Sequence, residues 1–126
     1  MALKGTPDGW HSVTPRIIVD DVPKLVTFLK QVFGATGEVP EDRPAVIRIG
    51  DSLVMISETG LRDSVTAFLY VYVPDVDATY QRAIQAGAAS IELTLNTPYG
   101  DRRAMVKDPC GNIWQIATHI PQVREG

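Results

Sequence analysis

Cysteine occurs once in this chain, at Cys110, so no disulfide can form within it and a reducing compartment suits it. No cysteine-rich metal knuckle is possible either. Basic residues are outnumbered, 12 Lys and Arg against 15 Asp and Glu, and the net charge is −3 with a pI near 5.2. Arg102-Arg103 is only a pair, which argues against a nucleic-acid partner, since neutralising phosphates needs clustered cations. Long apolar runs are also missing. The longest spans residues 67–73, far short of the roughly 18–20 residues that a membrane helix requires. The opening MALKGTPDGW has no apolar signal core. A cytoplasmic protein without a membrane partner is expected.

What is present suits one compact domain of 126 residues, with 44% hydrophobic and 21% charged residues. Residues 1–11, with Gly5, Pro7 and Gly9, read as a loose lead-in. Residues 13–19 alternate and β-branch like a strand. Asp20-Asp21 offers an N-cap and Pro23 fits a first helical turn. Val22, Leu25, Val26, Leu29, Val32 and Phe33 then recur at helical spacing up to a stop at Gly34. Residues 37–44 form a loop or an irregular strand, and 45–49 and 52–57 flank Gly50-Asp51 as a hairpin. A polar linker over the surface follows at 59–66.

The pattern then starts again. Residues 67–73 are a strand, Asp75 is a cap, and Val76, Tyr80, Ala83 and Ile84 are the apolar face of a helix over 76–86 that stops before Gly87. A strand at 91–95 precedes a last hairpin, 103–107 and 113–118, around Asp108-Pro109-Cys110-Gly111-Asn112. There Asp108 accepts from nearby backbone, Pro109 presets φ and Gly111 takes positive φ. Cys110 reads as a small turn residue, because neither His11 nor His119 is adjacent in sequence to activate it. Asp21 aligns with Asp75, Gly34 with Gly87, and 51–57 with 111–117, with residues 98–103 inserted. Two copies of a βαβββ unit, 12–58 and 66–119, are expected within a single domain 1–126. Units this small must share a core.

Repeat and phrasing together, T-P-R-I-I-V-D-D, F-G-A, I-G-D-S, Y-V-P-D-V-D-A, A-G-A, Y-G-D-R and D-P-x-G-N-I-W-x-I-A-T-H, resemble the glyoxalase / bleomycin-resistance / extradiol-dioxygenase (vicinal-oxygen-chelate) superfamily, in its PhnB-like branch, over about residues 12–119. The resemblance implies an α+β fold in which two βαβββ modules form a cupped mixed sheet with helices outside and ligands inside, often paired across a homodimer. Its metal-dependent members place ligands on the first and last strands of each module, which fall here on Thr14, Phe68, Met55 and Gln115. Only Gln115 is a donor the family uses, so no metal and no cofactor are expected.

Alternation assigns Thr14, Arg16 and Ile18, then Phe68, Tyr70 and Tyr72, then Ile113, Gln115, Ala117 and His119 to the cup. Ile17, Val19, Leu69, Val71, Val73, Trp114 and Ile116 fall under the helices. The ligand-binding candidates are therefore Thr14, Arg16, Phe68, Tyr70, Tyr72, Gln115 and His119, an aromatic wall with polar tips. Tyrosine is also simply favoured in strands, and Arg16 is either mouth-facing or aimed at an anionic group. His119 is either a base at the rim or a surface residue near the terminus. Asp101 is expected to make a surface pair with Arg102 or Arg103. The expected function is metal-independent binding of a small molecule, as in sequestration of an aromatic or peptide-like compound. The alternatives are a lyase, isomerase or dioxygenase-type enzyme of the same superfamily, using His119, Glu58 or a rearranged metal site, and a ligand-free dimeric scaffold.

Overall fold

Residues 5–60 and 63–121 are described by the computed structural model, so the first four residues of the lead-in and positions 61–62 of the linker lie outside it. Strand β1 is Arg16–Val19, three residues shorter at its start than the alternation suggests. Pro15 explains the difference. Its carbonyl accepts from Met55 N at 2.9 Å, but it has no N–H to donate, so the ladder begins at Arg16 and Val13 is left 82% exposed. Helix α1, Val22–Phe33, follows the expected bounds. Asp21 Oδ1 accepts from Lys24 N at 3.1 Å, and Gly34, at φ 64°, turns the chain out of the helix as its N–H reaches Lys30 O at 3.1 Å.

Strands β2 (Ala45–Ile49) and β3 (Ser52–Glu58) form the first hairpin, and β1 joins β3 in parallel, giving a sheet of order β1-β3-β2. Residues 37–44 are the loop of the two options: Thr36, just before it, bridges to Arg48, and Gly37 runs close against Val46 and Ile47 of β2. The linker does more than cross the surface: Val65 pairs antiparallel with Ile18.

The second half repeats the order with one more strand. It comprises β4 (Phe68–Tyr72), α2 (Val76–Gln85), β5 (Ala89–Asn96), β6 (Asp101–Lys107) and β7 (Ile113–His119), in a sheet of order β4-β7-β6-β5. Asp75 caps α2 as Asp21 caps α1, its Oδ1 accepting from Ala78 N at 3.1 Å. The buried face of α2 is Val76, Thr79, Tyr80 and Ala83, and Ile84 is exposed, a correction to the expected stripe. Thr79 is accommodated because its hydroxyl donates to Asp75 O at 2.9 Å.

One apolar cluster serves both halves, from Ile17, Leu25 and Ile56 to Val76, Val106, Trp114 and Ile116. The Phe33 and Trp114 rings meet at 5.3 Å across the boundary. Arg82 Nε donates to Val32 O at 3.1 Å, placing a cation on the carbonyl end of α1. Ile18 and Ala117 are buried outside that cluster, as strand alternation requires of residues facing away from the helices. The β6–β7 turn is held by Asp108, whose Oδ2 accepts from Asn112 Nδ2 at 2.9 Å and Trp114 Nε1 at 2.8 Å. Asn112 Oδ1 in turn accepts from Ala67 N at 2.9 Å, fastening the start of β4. Burial raises the Cys110 thiol above its ordinary pKa, which fits a turn residue rather than a nucleophile. No helix among the described residues is long and apolar enough to cross a membrane.

Candidate functional site

The register of the second sheet puts Phe68 beside Ile113, Tyr70 beside Gln115, Tyr72 beside Ala117, and Asp101 beside His119. Five of the seven binding candidates, Phe68, Tyr70, Tyr72, Gln115 and His119, therefore share the face away from the helices. Phe68 and Tyr72 are each 61% exposed there, and the Tyr70 and Tyr72 rings pack at 5.3 Å. At the centre is a residue the alternation did not single out. Asp101 is 1% exposed, and its Oδ2 accepts from Tyr70 Oη at 2.6 Å and Tyr72 Oη at 2.8 Å, while Oδ1 lies 3.0 Å from His119 Nδ1.

This overturns the expected surface pair of Asp101 with a neighbouring arginine. Arg102 instead pairs with Asp77, at 2.9 and 3.0 Å, and Arg103 with Glu92, at 3.0 and 2.8 Å. Adjacent residues on a strand point to opposite faces, so Asp101 cannot share a side with Arg102. Extending β6 back two residues, to meet His119, is the sequence signal that would have located Asp101.

Bonds from Tyr70 and with His119 hold the Asp101 carboxyl below the usual carboxylate range. Burial, followed by the bond to Asp101, pushes the Tyr70 phenol far above its ordinary value, and the bond to Asp101, followed by burial, raises that of Tyr72. Tyr99 lies 3.3 Å from Tyr70 Oη and accepts from Arg103 Nη1 at 2.8 Å. Contact with Tyr70, then the guanidinium, lowers its phenol. The His119 side chain is 62% exposed, and with Nδ1 held by Asp101 its Nε2 is left for another partner.

Thr14 and Arg16 belong elsewhere. Thr14 precedes β1 outside any strand, and Arg16 opens β1 on the other sheet, its Nε donating to Ser57 Oγ at 3.1 Å. Arg16 and Glu58 line a cavity of about 280 Å³ between the first sheet and the 37–44 loop. Tyr70 and Tyr72 line a second, of about 260 Å³, with Pro15 and the β2–β3 turn. Arg16 and the tyrosines thus line different cavities.

A metal at the positions the family resemblance points to would require donors that those positions lack. Of the four positions the family resemblance points to, Thr14 is a neutral hydroxyl, Met55 a thioether and Phe68 a hydrocarbon, leaving Gln115 alone. Among the described residues, no group of three or more His, Cys, Asp or Glu could hold a metal ion. These four positions do not fit a divalent centre.

The family model of the Glyoxalase/Bleomycin resistance protein/Dioxygenase superfamily matches residues 11–116. A Mycobacterium bovis protein, uncharacterized protein Mb0911c, is 28% identical over 130 residues, covering 89% of this chain and 86% of that one. Uncharacterized protein MT0910 of Mycobacterium tuberculosis is 28% identical over 89% of this chain and 76% of its own. Among solved structures, TioX from Micromonospora sp. ML1 superposes with a TM-score of 0.72 at 23% identity, covering 90% of this chain and 100% of that one. A glyoxalase/bleomycin resistance protein/dioxygenase family enzyme from Burkholderia phytofirmans PsJN gives 0.71 at 21% identity, over 83% and 95%. At these identities the likeness is one of fold.

Proposed function

Because the chain belongs to the Glyoxalase/Bleomycin resistance protein/Dioxygenase superfamily, we propose that it is a metal-independent small-molecule-binding protein whose second-sheet face receives an aromatic or peptide-like compound. The observation behind this reading is the exposed Phe68 and Tyr72 arrayed around the buried, fully partnered Asp101. Hydroxyls anchored from below fix the ring orientations, so stacking area is offered with little rotamer entropy left to lose. A thermal-shift screen of bicyclic aromatic compounds tests it. Hits should raise the melting midpoint in proportion to mass action, and the Tyr72→Ser protein should lose the effect. Hits that stabilise Tyr72→Ser equally would overturn the reading.

The same proposal includes a cytoplasmic homodimer of the PhnB-like branch, whose modules are 12–58 and 66–119. The matching caps Asp21 and Asp75 support the module boundaries, and the quoted phrases support the branch. Phe68, Tyr72, Leu95 and Tyr99 are each exposed, and a second copy that closes over the rim of this face would cover apolar area while leaving room for the ligand between the two. Sedimentation as a monomer at micromolar concentration would remove that part. The contact of Asp101 with His119 favours a second reading, an enzyme in which the outward Nε2 of His119 is a general base. A solvent-exchange rate at an acidic C–H of a bound hit, lost in His119→Gln with binding retained, would shift the assignment to that reading.

A further inference from the structure

The first-sheet cavity stands apart from the tyrosine face, and its charges are arranged unusually. Arg16, Glu41, Arg43 and Glu58 all line it, over an apolar floor that includes Val39 and Ile56. Arg43 is engaged with Asp42 at 3.4 Å. The other three remain unpaired with one another: among the described residues, neither Glu41 nor Glu58 has a side-chain partner, and Arg16 uses only its Nε, on Ser57. Opposite charges sharing so small a space ordinarily meet as an ion pair. Here the Ser57 bond fixes the Arg16 fork, leaving its two terminal nitrogens for a planar bidentate acceptor such as a carboxylate.

We propose that this cavity binds a free α-amino acid with an apolar side chain, as its zwitterion. The carboxylate meets Arg16, the ammonium lies toward Glu58 and Glu41, and the side chain rests on the apolar floor. A simple anion fits poorly, because two unpaired carboxylates face one unpaired guanidinium. A simple cation leaves Arg16 unmatched. The volume, about 280 Å³, lies at the small end of ligand pockets, which suits a single amino acid rather than a drug-sized molecule. The proposal does not depend on the tyrosine face binding anything.

Three nearly isosteric probes separate the possibilities on the intact protein, followed by calorimetry and amide chemical shifts: L-leucine, 4-methylpentanoate, which lacks the ammonium, and 3-methylbutylamine, which lacks the carboxylate. Leucine is expected to bind at least about tenfold more tightly than either, with shifts at Arg16, Val39 and residues 56–58. Arg16→Met should weaken leucine about tenfold while leaving 3-methylbutylamine unchanged, and Glu58→Gln should do the converse with 4-methylpentanoate. Both side chains are exposed, so the variants should fold. Equal affinity for leucine and 4-methylpentanoate, shifts confined to Tyr70 and Tyr72, or no binding of leucine at millimolar concentration would each overturn the assignment.

Discussion

Asp101 sets the chemistry of the tyrosine face one residue at a time. Its carboxyl titrates lower in the folded chain than in the unfolded one, so the stabilisation it confers is complete above the unfolded value of about 3.9 and is lost as pH falls through the folded value. The gap in urea midpoint between the parent and Asp101→Asn should therefore be fully present at about pH 5 and shrink below about pH 4. A gap that persists unchanged at pH 3 would show that the carboxylate charge is not what the two tyrosines need. Tyr99 moves in the opposite direction to Tyr70. On alkaline titration Tyr99 should form phenolate before Tyr70 and Tyr72, and Tyr99→Phe should delete the earliest step of the phenolate absorbance among these three. Of this cluster, alternation alone makes the two strand tyrosines and His119 legible. Asp101 is hidden because a charged residue beside two arginines looks like surface until the strand is known to start at it.

At the scale of elements, the helices and the last hairpin are legible because each depends on nearby residues: a cap, an apolar stripe and a stop for α1, and an Asp-Pro-x-Gly-Asn turn between β6 and β7. Segment 37–44 is harder, since its repeat partner, β5, is a strand, although one whose register with β6 shifts between Ser90 and Glu92 and again between Glu92 and Leu95. Pro40 and Pro44 lack ladder donors, and Gly37 sits at φ 133° where a Cβ would lie 2.5 Å from Val46 O. Backbone against backbone cannot yield as a flexible side chain does. Gly50→Ala, with open space but φ 57°, should cost about 1–2 kcal/mol in chemical denaturation from its left-handed backbone alone, and Gly37→Ala, which adds the clash, should cost clearly more. Equal losses at the two sites would mean that the close approach of loop to β2 contributes nothing. The three-strand first sheet and four-strand second sheet thus follow from a contact that no local pattern announces.

At the scale of the molecule, the repeat is legible because both halves rebuild the same caps and hairpins, and the shared core follows because neither half is large enough alone. The scatter of the seven candidates, five on the second sheet, Arg16 on the first and Thr14 outside any strand, is not legible, since strand parity reports faces but not which sheets adjoin. That scatter bears on the metal. A divalent ion gives up hydration only for several hard or borderline donors, and the chemistry of metal-dependent relatives rests on the ion polarising substrate oxygens. Thr14 lies outside β1, Met55 and Phe68 offer no oxygen or nitrogen, and Gln115 is one neutral amide. Glu58 and His119, the nearest substitutes, sit at the ends of β3 and β7 in different sheets, and His119 Nδ1 is already committed to Asp101. Elemental analysis after exhaustive dialysis against zinc- or nickel-containing buffer, and then metal-free buffer, should find well under one ion per chain. The melting midpoint should not move with a chelator. A stoichiometric, chelator-sensitive ion whose loss is reproduced by Gln115→Ala would mean that a donor set is assembled between copies of the chain, and would move the reading from binding protein to metalloenzyme.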